Sequence, residues 1–142
     1  MTIQSRLYRA GRLLFGGFVL SAAAAYSYNA LAANTQQPIP RGVPMKSWQE
    51  NGRDGRYLLQ VIDGGLPRNA KRVVGTVLSD TDCDPDAEGL SHCHNEIQLP
   101  GGKKLTVIDS HNMHNYRCLG DGDRIALSRL GNTWVVGNLI TK

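Results

Sequence analysis

Apolar and polar positions alternate in short bursts from Tyr57 onward, and no stretch keeps the 3.6-residue period of a long amphipathic helix. Tyr57–Ile62 is a β-prone run closed by Asp63-Gly64-Gly65, and Val73–Leu78 is another, with Gly75 inside it where a bulge or bend would fit. Glu96–Leu99 and Leu105–Ile108 flank Pro100-Gly101-Gly102-Lys103, which predicts a hairpin. Arg124–Ser128 and Thr133–Ile140 flank Arg129-Leu130-Gly131-Asn132, which predicts a second one. Met45–Asn51 supports one or two helical turns ending at Gly52. Five or six short strands joined by glycine-rich turns predict an all-β domain, a small OB-like barrel with a small β-sandwich as the alternative.

The first 32 residues follow a different pattern. Arg6, Arg9 and Arg12 precede an apolar run from Leu13 to Ala25, no acidic residue occurs before Glu50, and Ala30-Leu31-Ala32 closes the segment. A basic start, a short apolar middle and a small-x-small end predict a secretory signal peptide over residues 1–32, cleaved after Ala32. The apolar run is shorter than the roughly 20 residues a spanning helix needs, so a retained anchor is the lesser reading and no membrane span is expected after cleavage. Residues 33–52 carry Pro38, Pro40 and Pro44 and read as a flexible lead-in with a possible short helix, leaving 53–142 as the β-barrel domain.

Charge adds little beyond this. Three of the sixteen basic residues and none of the twelve acidic ones lie in the leader, so removing it lowers the formal charge from +4 to +1. No basic stripe remains in the mature part, and nucleic-acid binding loses its electrostatic footing. A periplasmic or secreted protein of this size often secures its core with a disulfide or a metal.

Gly75-Thr76-Val77, the histidine-containing strand, Gly102-Lys103-Lys104-Leu105-Thr106-Val107, His111-Asn112 and Gly122-Asp123-Arg124-Ile125 together resemble small exported OB-type barrel proteins of unknown function over residues 73–127. The resemblance implies a barrel fold and an exported location and carries no catalytic residues across. The aspartate-rich loop between Cys83 and Cys93 is not part of that pattern.

The candidate chemistry is concentrated. All four histidines and two of the three cysteines fall between His92 and Cys118. Imidazole, thiolate and thioether bind soft and borderline transition metals. In a strand, His92 and His94 share one face, and His111 and Met113 share one face of the following extended segment. Pairing Leu99 with Lys104 across the hairpin would set His92 near His111. The expected metal ligands are therefore His92, His94, His111 and Met113, with His114 and Cys118 in reserve, holding copper first and zinc second for sequestration or delivery. Three cysteines cannot all pair within one exported chain. Cys83–Cys93 is the leading disulfide, closing a short loop worth about 3 kcal/mol in the chain-entropy account, with Cys93–Cys118 and Cys83–Cys118 left open.

Asp80, Asp82, Asp84, Asp86 and Glu88 alternate like a calcium loop, but the turn glycine and the bidentate glutamate do not fall in EF-hand register, leaving only an irregular calcium site over Asp80–Glu88. A free cysteine beside a histidine oriented by Asp109 or Asp123 would make a thiol-dependent enzyme, without any local signature in its support. For a nuclease, Arg117, Asp121 and Arg124 are available at no telling spacing. The alternative to metal binding is a disulfide-stapled module that binds an envelope protein through Trp48, Tyr116 and Trp134, although such aromatics more often pack.

Overall fold

The structure, a computed structural model, describes residues 36–140; the signal-peptide segment and its cleavage site lie outside the described residues. Six strands follow one another: β1 (Arg56–Gly64), β2 (Val73–Thr81), β3 (Ser91–Gln98), β4 (Lys104–His111), β5 (Arg124–Leu130) and β6 (Trp134–Leu139). They close into one barrel in the order β1-β4-β3-β2-β5-β6, with β6 returning to β1 and every pair antiparallel. The expected all-β barrel is thus the observed architecture, and closure pairs both edges of each of the six described strands.

Strict alternation drives the closure. In β3 and β4 every second residue is buried and its neighbours are not, so each strand gives one complete face to the interior. Leu59, Val77, Ile97, Leu105, Ile125 and Leu127 fill the barrel's core. Each such side chain contributes about 1.5–3 kcal/mol by leaving water. Gly75 faces this core as well. It marks a close approach rather than the expected bulge, since an added Cβ would sit 2.6 Å from Ile97 Cγ2 and 3.0 Å from the Gln98 carbonyl.

A second apolar cluster forms around Trp48, Leu58 and Leu90. Leu58 pairs with Val136 across β1 and β6, and Ile39, Val43 and Met45 pack against the same cluster. Trp48 lies against Trp134 with ring centroids 5.7 Å apart and donates its indole N–H to Gln37 O at 2.8 Å. The segment read as a flexible lead-in therefore contributes buried surface. Its helical content is one 3-10 turn, Trp48–Glu50, followed by a second at Arg53–Gly55 that the apolar pattern did not signal.

Two departures from regular pairing place the chemistry. The first is the β3–β4 hairpin, where Leu99 and Lys103 close the turn and Gln98 pairs with Lys104. The second is a bulge in β2. Val77 pairs with Ile97, Ser79 pairs with Glu96 and Asp80 with Asn95, so Leu78 is the extra residue.

Candidate metal centre

The hairpin register decides where the histidines go. His92 pairs with Ser110 and His94 with Ile108, while His111 pairs with Ser91. The expected pairing of Leu99 with Lys104 is off by one residue, and in a strand one residue exchanges the faces. His92 and His94 therefore stand half-exposed on the outer surface, whereas His111 is fully buried inside the barrel. Met113 is 46% exposed on the following turn and His114 is exposed beside it. The His92, His94, His111 and Met113 set is not brought together.

The outer histidines have local partners instead. His94 Nδ1 lies 3.5 Å from Asp82 Oδ2. His92 bridges Ser110 Oγ at 2.8 Å and Asp86 Oδ2 at 3.0 Å. That order resembles a hydrolase triad, but the geometry is that of a pin. Asp86 Oδ1 is occupied by the N–H groups of Glu88 and Leu90 at 2.8 and 3.0 Å, so the trio ties the loop after β2 to β3 and β4. The Leu90 N–H first, and then the His92 ring, hold the Asp86 carboxyl below its usual value.

The calcium-like alternation dissolves in the same way. Asp82 turns to His94, Asp86 to its own loop, and Asp80 to the barrel interior. The expected calcium site over Asp80–Glu88 has no common point on which these carboxylates converge.

What does converge lies around Cys93, the fully buried member of a group whose others are half-buried. Beyond the Leu78 bulge the inward phase of β2 changes, and Asp80 rather than Ser79 comes to face Asn95. Asn95 Nδ2 donates to Asp80 Oδ1 at 2.9 Å and to Ser79 O at 3.1 Å. Cys93 shares the inner face of β3 and pairs with Asp109 of β4. Cys83 and Cys93 form the disulfide that their spacing predicts. Cys118 arrives on the connection between β4 and β5, which is anchored on both sides. Gly122 N–H donates to Val77 O at 2.9 Å, Val77 N–H donates to Asp123 O at 2.8 Å, and the Tyr57 hydroxyl donates to Arg117 O at 2.8 Å. Leu119, fully buried, plugs the connection into the core.

The result is a group of four: one carboxylate oxygen of Asp80 and the Sγ atoms of Cys83, Cys93 and Cys118 all lie within 4.8 Å of one another. Cys118 carries the free thiol. Burial first, and then the charges of Asp80 and Asp109, push that thiol up to about 11. A thiol nucleophile needs the opposite shift. Asp109 does sit beside a histidine, yet that pair is sealed in the core.

No family model, curated protein or solved structure matches the chain. The chemistry of the site therefore rests on its own atoms.

Four buried polar atoms adjoin the group without a hydrogen-bond partner: Asn95 Oδ1, Asp109 Oδ2 and both ring nitrogens of His111. His111 Nδ1 is 3.1 Å from Asp109 Oδ2, close enough for charge pairing but not aligned as a hydrogen bond. Burial raises the Asp109 pKa, with His111 opposing it. Burial also pulls His111 down, but the adjoining Asp109 outweighs it and His111 ends above its usual value. Asn51 braces the pair, with Nδ2 donating to Asp109 Oδ1 at 3.1 Å and Ser110 O at 2.9 Å. Of these four atoms, Asn95 Oδ1 and His111 Nε2 are the two that lie outside the Asp109–His111 ion pair.

Sequence reasoning included Cys118 among the transition-metal ligands, gave Asp80 only to a calcium loop and Asp109 only to orienting a histidine, and did not single out Asn95. Alternation alone would have turned Asp80 outward. The aromatics proposed for partner binding are engaged already: Trp48 and Trp134 with one another, and the Tyr116 hydroxyl as acceptor for Arg53 Nε at 3.1 Å. Asp123 holds Arg117 through two contacts of 2.7 and 3.1 Å and accepts from Gly120 N–H, so Arg117 is committed to shaping the Cys118 connection.

Proposed function

We propose that this protein is an exported β-barrel that sequesters or delivers a soft transition metal, copper or zinc, at Asp80, Cys83, Cys93 and Cys118 when the Cys83–Cys93 bond is reduced. The supporting observation is the mutual proximity of three sulfurs and a carboxylate, all within 4.8 Å. Three thiolates suit copper(I), and three thiolates with one carboxylate complete a tetrahedron for zinc, at about 2.3 Å to sulfur and about 2.0–2.2 Å to oxygen.

The oxidised chain offers only Asp80 and Cys118, too few for a stable site, so metal capture depends on the redox state. Asn95 orients Asp80 from behind, as outer partners of metal ligands do. The disulfide belongs to the bonds that oxidising compartments maintain, which agrees with export. Among the described residues no helix is long and apolar enough to cross a membrane.

Titration of the reduced protein with copper(I) and with zinc under anaerobic conditions tests the reading. A single metal per chain is expected, lost in Cys118→Ser, weakened in Asp80→Asn and unchanged in His92→Ala and His94→Ala. Equal binding by reduced wild type and Cys118→Ser would sink the proposal.

A further inference from the structure

The free thiol stands beside a disulfide, with Cys118 Sγ within 4.8 Å of both Cys83 Sγ and Cys93 Sγ. Thiol–disulfide exchange needs an attacking sulfur, a disulfide and access between them. All three are present in one chain, and Cys118 is half-exposed.

We propose that Cys118 exchanges with the Cys83–Cys93 disulfide, forming Cys93–Cys118 and releasing Cys83 as a thiol. The Cys83–Cys93 sulfur–sulfur bond breaks, the Cys93–Cys118 bond forms, and one proton passes from Cys118 to Cys83. No oxidant or reductant is consumed. The inference uses the same sulfurs as the metal reading but does not depend on metal binding.

The surroundings favour this direction. Cys93 is fixed, fully buried on the inner face of β3, whereas Cys83 sits half-exposed at the start of an exposed loop. The departing sulfur is therefore the one free to move. Asp80 Oδ1 lies 3.3 Å from Cys83 Sγ and can accept a hydrogen bond from the released thiol. The exchanged form staples β3 to the β4–β5 connection in place of the β2–β3 loop. That loop keeps its second attachment, the Asp86–His92–Ser110 pin, so it stays on the barrel while presenting a thiol. The exposed Cys83 is then the point at which a small thiol or disulfide, such as glutathione disulfide, would react.

Exchange proceeds through a thiolate, as at any cysteine, so it quickens as pH rises, over minutes to hours as uncatalysed disulfide rearrangements do.

The folded, non-reduced protein is incubated at graded pH, labelled with iodoacetamide, quenched in acid, digested with pepsin and mapped. The expected result is a second population, Cys93–Cys118 linked with label on Cys83, growing with pH beside Cys83–Cys93 with label on Cys118. As a second reading, Cys83→Ser exposed to glutathione disulfide is expected to form Cys93–Cys118 and to lose its accessible thiols. Only Cys83–Cys93 linkage at every pH, with two persistent thiols in Cys83→Ser, would overturn the proposal. Neither result bears on whether the fully reduced chain binds metal, so the two readings can fail separately.

Discussion

Asp80 faces Asn95 across the β2–β3 ladder, and the Asn95 amide donates to Asp80 Oδ1 at 2.9 Å. This pairing fixes a negative charge beside the Cys118 thiol, where it opposes ionisation. Asp80→Asn removes that charge while keeping the side chain's shape. The Cys118 pKa is expected to fall from about 11, and alkylation at a fixed, mildly alkaline pH to speed up. A pH–rate profile of iodoacetamide labelling checks this; an unchanged profile would contradict the assigned geometry.

The buried Asp109–His111 pair makes stability depend on pH. His111 has a folded pKa above its unfolded value of about 6.5. Its contribution is complete below that unfolded value and is lost as pH rises through the raised folded one. Asp109, also raised, acts in the same direction from a lower starting pH. Urea unfolding should therefore show stability declining from mildly acid to alkaline conditions, with a flatter profile in His111→Gln.

Reducing Cys83–Cys93 opens a loop with a sequence separation of 10. A bridge of that span is worth about 3 kcal/mol in the entropic account. The midpoint of chemical unfolding is expected to drop accordingly in reductant. Saturating zinc or copper(I) should restore much of the loss, because a ligand that binds only the folded chain stabilises it by mass action. Recovery in wild type but not in Cys118→Ser is the outcome that links stability to the proposed ligands.

Trp48 is buried, packed at a tilt against Trp134 and hydrogen-bonded to Gln37 O. Trp48→Ala should cost about 3–5 kcal/mol, measurable by denaturant titration. A loss below about 0.5 kcal/mol, the scale of an ordinary surface change, would mean that residues 37–50 do not cover the outer cluster in solution.

Gly75→Ala tests the close approach at the barrel wall. The added methyl would meet Ile97 and the Gln98 backbone, and overpacking of this kind costs about 1–3 kcal/mol. Thermal unfolding of the variant gives the sign directly.

The strands were legible in the sequence where Val, Ile and Leu alternate, as in Tyr57–Ile62, Leu105–Ile108 and Arg124–Ser128. They were hidden where the barrel buries polar residues. Ser91, Cys93 and Asn95 occupy inner positions of β3, and Asp109 and His111 those of β4, so both strands run further than their apolar residues suggest. The disulfide could be read from spacing because a short loop is easy to close. The ligand set could not, because it depends on two counts that composition does not carry: the number of residues in the Leu99–Lys103 turn and the extra residue in β2. The first sends His92 and His94 outside, and the second brings Asp80 in.

Leu78 divides β2 into two cadences, odd-numbered residues inward up to Val77 and even-numbered Asp80 inward after it. The identity of this 37%-exposed residue matters less than its presence as a spacer. Excising Leu78 would straighten the ladder and still leave Asp80 opposite Asn95, with its charge beside Cys118 as before. Inserting one residue between Ser79 and Asp80 would swing the carboxylate to the outer surface and take its charge away from the thiol, leaving burial, the larger cause, in place. The chemistry at this end of the barrel thus depends on how many residues β2 contains as well as on which ones.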